Sequence, residues 1–172
     1  KLALHTMESF INYSKKVGSN FLLCQGPGGN TSIKIEKKVL IKKSGYLLSD
    51  SKNKNIFKKV NLKDINSFYK KINNENKFDK SLSIETPLHI LLNSKYVFHY
   101  HSIASILISA IYKKNTLDHE LLKNNILPIR YIRPGVKLAN EIRRVNKDHN
   151  FKSFFLYNHG IVNEDNNVER LY

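Results

Sequence analysis

One cysteine, Cys24, stands among 172 residues. A lone thiol closes no internal disulfide, so the chain must rely on a packed core, and it suits a reducing cytoplasm. No apolar run approaches the roughly 20 residues that span a bilayer, which argues against a membrane partner. The opening Lys1-Leu-Ala-Leu-His-Thr6 is too short and too polar-flanked for a secretory signal. Met7 is the only methionine, so residues 1–6 are set apart as a leader or expression remnant and 7–172 read as a single domain. Internal repeats and linkers are missing too. The glycine-rich turn Gly26-Pro-Gly-Gly-Asn30 lacks the Gly-Lys-Ser/Thr ending of a P-loop. It also opens a strand rather than a helix, so it is no dinucleotide fingerprint. Acidic residues are scarce, 14 against 29 Lys and Arg, for a formal charge of +15. Charge alone points to nucleic acid or a phosphorylated substrate. Yet the lysines are scattered, and the accompanying surplus of Asn and Ile matches A/T-rich codons. A compositional origin therefore outweighs a nucleic-acid partner.

What is present is a globular chain, 41% hydrophobic, in which helical and extended patterns alternate. Met7 to Val17 carries one apolar helical face, ended by Gly18. Strands are predicted over Ser32–Glu36 and Val39–Lys42, joined as a hairpin at Lys37-Lys38 and broken at Ser44-Gly45. Residues 49–81 are polar and Lys/Asn-rich, with a short strand or helix expected among surface loops. A helix follows Ser83, its expected N-cap, with Pro87 in the first turn and Leu88, Leu91 and Leu92 inward. Lys95 to Phe98 reads as a buried strand. Ser102–Tyr112, through Ile103, Ile106, Leu107 and Ile111, predicts a helix lying on the sheet. A strand over Leu127–Ile132, a helix over Val136–Val145, and a strand over Phe154–Tyr157 with a return at Ile161-Val162 complete the chain. A sheet flanked by helices, an α/β fold, is the expected architecture.

The chemistry concentrates in Tyr96-Val-Phe-His-Tyr-His-Ser102. Residues i and i+2 of a strand share a face, about 7 Å apart along the backbone. His99 and His101 can thus converge on one divalent metal, and two imidazoles on a buried face are costly unless something satisfies them. His159, at the end of an apolar strand, is a third candidate ligand, and Glu85 a fourth. His89, one helical turn after Glu85, reads as a hydrogen-bonded structural residue. His5, His119 and His149 lie in polar stretches and read as solvated. The Gly26–Asn30 turn either reverses the chain or cradles a phosphate with backbone N–H groups, and Ser44, Gly45 and Ser83 offer further donors.

Gly29-Asn-Thr-Ser32, Leu40-Ile-Lys-Lys-Ser-Gly45, Ser83-Ile-Glu85 with His89, His99-Tyr-His-Ser102 and Asn158-His-Gly160 stand in order from about residue 8 to 165. Together they resemble the class II aldolase/adducin family. The wording around Glu85 is closest to bacterial sugar-phosphate aldolases, including aldolase domains fused to dehydrogenases. The resemblance implies a three-layer α/β/α fold with a central, largely antiparallel sheet. It implies zinc, or another divalent metal, held by Glu85, His99, His101 and His159, and a substrate phosphate against Gly29, Asn30, Ser44, Gly45 and Ser83. It further implies an aldolase that works on a ketose phosphate through an enediolate, Glu85 serving as the base, in homotetramers with active sites at subunit interfaces. A sugar-phosphate 4-epimerase, a dehydratase and a non-catalytic adducin-like assembly module are the other activities the family offers, the complete ligand set speaking against the module. Tyr112, Tyr131 and Tyr172 are candidate proton donors. A second serine is common where this chain has Ile84. Lys42 or Lys43 would add positive charge near Ser44, although solvated lysines are the simpler reading.

Overall fold

The structure, a computed structural model, describes residues 2–61 and 82–172. Helix α1 (Leu2–Gly18) begins ahead of Met7 and leads to the hairpin β1 (Asn30–Ile35) and β2 (Lys38–Lys42). Short 3-10 turns at Leu48–Asp50 and Lys54–Ile56 precede β3 (Phe57–Asn61), in the stretch 49–81 where a short strand or helix is expected; residues 62–81 lie outside the described residues. Then come α2 (Thr86–Leu91), β4 (Tyr96–Tyr100), α3 (Ile103–Ile111), α4 (Lys114–Lys123), β5 (Ile126–Ile129), α5 (Val136–Val145), β6 (Ser153–Leu156) and β7 (Gly160–Asp165). A last 3-10 turn covers Val168–Leu171.

The seven strands of the described residues form one sheet in the order β3-β2-β1-β4-β7-β6-β5. Every neighbouring pair is antiparallel except β5–β6. Strand alternation sorts the core into two sides. Phe10 and Val17 of α1 pack with Ile33, Tyr96 and Phe98 on one face. Leu88 and Leu92, with Leu138, Ala139 and Ile142 of α5, pack with Val97, Phe154 and Val162 on the other. Phe155, one residue on from Phe154, faces Leu117 and Leu121 of α4. Helices therefore cover both faces, giving the three layers expected.

Two local expectations need correction, and one helix is not expected from the sequence. The N-cap of α2 is Glu85, not Ser83. Ser83 Oγ instead accepts the Glu85 N–H at 3.2 Å, and Thr86 Oγ1 donates to the Ser83 carbonyl at 2.7 Å. Those bonds wind a turn ahead of the helix and set Glu85 at its mouth. Helix α4 escapes the sequence pattern because it is polar nearly all round, with only Leu117 and Leu121, one turn apart, buried. Helix α3 lies with its apolar face outward. Ser105 and Ser109 are its buried residues, while Leu107 and Ile111 are 56% and 73% exposed. Small serines let it settle close to the sheet, and Asn158 N–H donates to Ser109 Oγ at 3.1 Å, which pins the turn before β7.

Candidate metal centre

Because β1 and β7 both run antiparallel to β4, the end of β4 meets the starts of its two neighbours. Asn30 pairs with His99 across β1–β4, and His99 pairs with Val162 across β4–β7. His159 sits in the tight β6–β7 turn, and Glu85 caps α2 on the same face of the sheet as His99. Three segments distant in sequence therefore deliver Glu85, His99, His101 and His159 to one point. Their ligand atoms all lie within 4.8 Å of one another. Glu85 Oε1 is 2.5 Å from His99 Nδ1 and 3.6 Å from His159 Nε2. The imidazole centroids are 4.6–5.2 Å apart, His99 nearly perpendicular to His159. The four ligand candidates of the sequence are thus brought together.

Glycines make room for this convergence. A Cβ on Gly28 would stand 2.7 Å from His101 Nδ1, and one on Gly29, at φ +67°, 2.4 Å from Cys24 Sγ and 3.1 Å from the His99 carbonyl. The glycine turn therefore lies directly against the histidine strand. Cys24 Sγ donates to the Gly28 carbonyl at 2.8 Å. Of the expected phosphate-binding residues, Asn30 and Ser83 are buried, and Asn30 Oδ1 has no hydrogen-bond partner among the described residues. Ser44 and Gly45 are exposed, Gly45 at φ +80°. Lys42 is not solvated, contrary to the simpler reading. It is buried and its Nζ donates to the carbonyls of Pro27 and Tyr46, each at 2.8 Å. The signal available in the sequence is a lysine ending an apolar strand at a Ser-Gly turn, and the abundance of lysine masks it.

Electrostatics fit a cation. Burial alone would raise the Glu85 pKa. The charge and hydrogen bond of His99, with the charges of His89 and His159, outweigh it and hold the carboxyl at about 2. Burial depresses His159 to about 4, helped by His99 and opposed by Glu85. Burial lowers His101 as well, so an ionised carboxylate stands beside imidazoles that resist protonation at His101 and His159, and carboxylate with imidazole is the donor chemistry of zinc and similar divalent ions. His99 is completely buried, and its Nε2 has no hydrogen-bond partner among the described residues. An orphaned imidazole nitrogen in a dry pocket costs free energy that a metal would recover.

His89 is held as a structural histidine, its Nδ1 2.8 Å from Ser32 Oγ. Burial, opposed by Glu85 and aided by His99, Lys34 and Lys42, lowers its pKa to about 3. The unfolded chain takes up this proton below about pH 6.5 while the folded chain refuses it, so stability falls as pH falls from about 6.5 to 3. Between pH 6.5 and 5 the loss from His89 is about 2 kcal/mol. Urea midpoints of metal-free protein at pH 7 and pH 5 measure it, and a His89→Gln variant should show a visibly smaller difference between the two.

The candidate proton donors do not gather at the centre in the same way. Tyr112 and Tyr131 are exposed, and the Tyr172 ring lies against Tyr13 and the Lys16 ammonium on α1. A groove between α2 and α5, lined by Ile90, Asn93, Arg143 and Lys147, contains none of the expected site residues.

Residues 8–172 match the family described as Class II Aldolase and Adducin N-terminal domain. The chain belongs to that family. Among solved structures, the N-terminal class II aldolase domain of a conserved Thermoplasma acidophilum protein superposes with a TM-score of 0.79 at 24% identity, covering 95% of this chain and 85% of that one. A sugar-phosphate aldolase from Thermotoga maritima gives 0.72 at 13% identity, over 99% and 92%. An L-fuculose-1-phosphate aldolase from Thermus thermophilus gives 0.66 at 13%, over 93% and 78%. At these identities the likeness is one of fold. A Bacillus subtilis (strain 168) protein named an uncharacterized oxidoreductase, YuxG, is 28% identical; the match takes in 96% of this chain but 27% of that protein. The chain thus spans about a quarter of that relative's length. No described helix is long and apolar enough to cross a membrane.

Proposed function

We propose that this domain is a metal-dependent aldolase that cleaves or forms a C–C bond in a ketose phosphate by way of an enediolate. One observation carries the reading: three imidazoles and a carboxylate, with ligand atoms within 4.8 Å, stand against a glycine turn. Glu85, His99, His101 and His159 hold the ion, zinc or another divalent metal, which when bound supplies Lewis acidity to oxygens of the substrate. Gly29, Asn30, Ser44, Gly45 and Ser83 receive the phosphate and spend its binding energy on orientation. Glu85, already anionic, takes up and returns the proton of the reacting hydroxyl. The outward apolar face of α3 supports assembly into tetramers with sites at the interfaces, and the lone buried thiol supports a cytoplasmic setting. The complete ligand set favours an enzyme over an adducin-like module, while a 4-epimerase or dehydratase would use the same centre.

Elemental mass spectrometry of protein purified without chelator tests the reading. Near-stoichiometric zinc or another divalent metal, lost in His101→Ala, is expected, followed by aldehyde release from one of a panel of ketose phosphates. Protein that stays metal-free after dialysis against zinc sinks the mechanism and leaves the module. A stoichiometric metal with isomerised or dehydrated products assigns the epimerase or dehydratase instead.

A further inference from the structure

Helix α3 starts two residues after His101, and its last turn lies against the turn that carries His159. Its first turn is fixed from both sides. Ser102 Oγ accepts the Ser105 N–H at 3.4 Å, Ser105 Oγ donates to the Ser102 carbonyl at 2.8 Å, and the Ile103 N–H donates to the Leu22 carbonyl at 3.0 Å. In the last turn Ser109, 7% exposed, accepts the Asn158 N–H at 3.1 Å. Its own proton is shared between the Ile106 carbonyl at 2.7 Å and Asn158 Oδ1 at 3.1 Å. Asn158 holds φ +56°, a left-handed backbone that asparagine tolerates better than most residues. The His159 N–H closes the turn on the Leu156 carbonyl at 3.1 Å. The His159 ring stands 3.6 Å from Glu85 Oε1, beyond hydrogen-bonding reach. That carboxylate therefore does not fix the ring, and its aim depends on the backbone beneath it. Serine is a poorer helix former than alanine, so packing alone does not call for a hydroxyl at 109. An alanine there would sit as close to the sheet but release Asn158.

We infer that α3 is a strut that sets the separation of His101 and His159, and that Ser109, through Asn158, is the positioning residue of the His159 ligand. This rests on the metal reading above and adds to it a residue that offers no atom to the ion. The two imidazole centroids stand 5.2 Å apart. The chain itself ties His101 to one end of the helix, and the serine ties His159 to the other. Groups that orient a ligand from behind commonly change metal affinity about 10- to 100-fold when removed.

The test uses the full chain with zinc and cobalt(II) as probes. Chelator competition gives zinc affinity, the visible spectrum of cobalt(II) reports ligand geometry, and NMR follows amide exchange. Ser109→Ala should bind zinc at least about tenfold more weakly than wild type, with altered cobalt(II) bands. Ser109→Thr, which keeps the hydroxyl, should recover much of the affinity. Val60→Ala, a core truncation on β3 three strands from β4, should lower the urea midpoint with zinc affinity unchanged. Coupling between sites is reciprocal, so zinc should slow exchange of the Asn158 N–H in wild type. Zinc binding with unchanged Asn158 exchange overturns the proposal, whether or not Ser109→Ala folds. Equal zinc affinity in a folded Ser109→Ala overturns it as well, and an equal loss in Val60→Ala assigns the effect to stability and does the same. A wild type that takes up neither zinc nor cobalt(II) overturns the metal reading itself, and this role with it.

Discussion

Gly160→Ala is expected to dismantle the end of the sheet that carries His99 and His101. Gly160 opens β7 at φ +148°, and a Cβ there would lie 2.0 Å from the Tyr100 carbonyl oxygen and 3.3 Å from His101 Cα. Neither neighbour can give way, because both are backbone of the segment that carries His99 and His101. The added methyl forces strand separation and an unfavourable backbone region at once, a cost of roughly 3–5 kcal/mol. Against a total stability on the order of 5–15 kcal/mol, much of the fold's margin is lost. Urea denaturation should show a large fall in midpoint, with the content of the proposed metal falling in parallel. Gly26→Ala provides the control. Its φ is +52° but nothing lies within 4 Å of the new Cβ, so only backbone strain of about 1 kcal/mol remains. Equal midpoints for Gly160→Ala and wild type would refute the close β4–β7 approach.

The largest effect on turnover should come from Glu85→Gln. The carboxyl, held at about 2 by its histidine neighbours against burial, is ionised in wild type. Glutamine keeps the shape and an oxygen donor but cannot hold the proton. The three histidines remain to bind metal. On the aldolase reading, kcat falls about 10³-fold, within the usual range for loss of a general base, while metal content falls far less. Turnover and elemental analysis on the same preparation separate the two. Undiminished turnover in Glu85→Gln would move the proton transfer to another group.

Much of this site is legible in the sequence because its physics is local. Alternation along one strand puts His99 and His101 on a common face, and a buried imidazole pair asks for a partner. Convergence of Glu85 and His159 is a matter of topology, supplied by β4 lying between β1 and β7, and in the sequence only the family resemblance carries it. Lys42 escapes notice because a lysine in a lysine-rich chain looks solvated, and the carbonyls that bury it come from Pro27 and Tyr46 on separate turns. The α3 face misleads for the opposite reason. Ile106, Leu107 and Ile111 have the periodicity of a core face, yet the side that packs is the one with Ser105 and Ser109. Periodicity locates an apolar stripe without saying whether the chain itself or another surface covers it. Ser83 does not cap the helix because its hydroxyl is spent on the turn ahead of it.

The place of β4 in the strand order has a further consequence. Among the described residues three strands lie on either side of it, so fraying that begins at β3 or β5 must consume two further strands before it reaches His99 and His101. Local opening in proteins starts where protection is least and reaches the best-protected strands only near global unfolding. His99 and His101 therefore belong to the part of the sheet that breathes last. Partial openings that let water and protons into the edges leave the His99/His101 geometry intact, and exchange of the β4 amides keeps time with the unfolding of the whole domain.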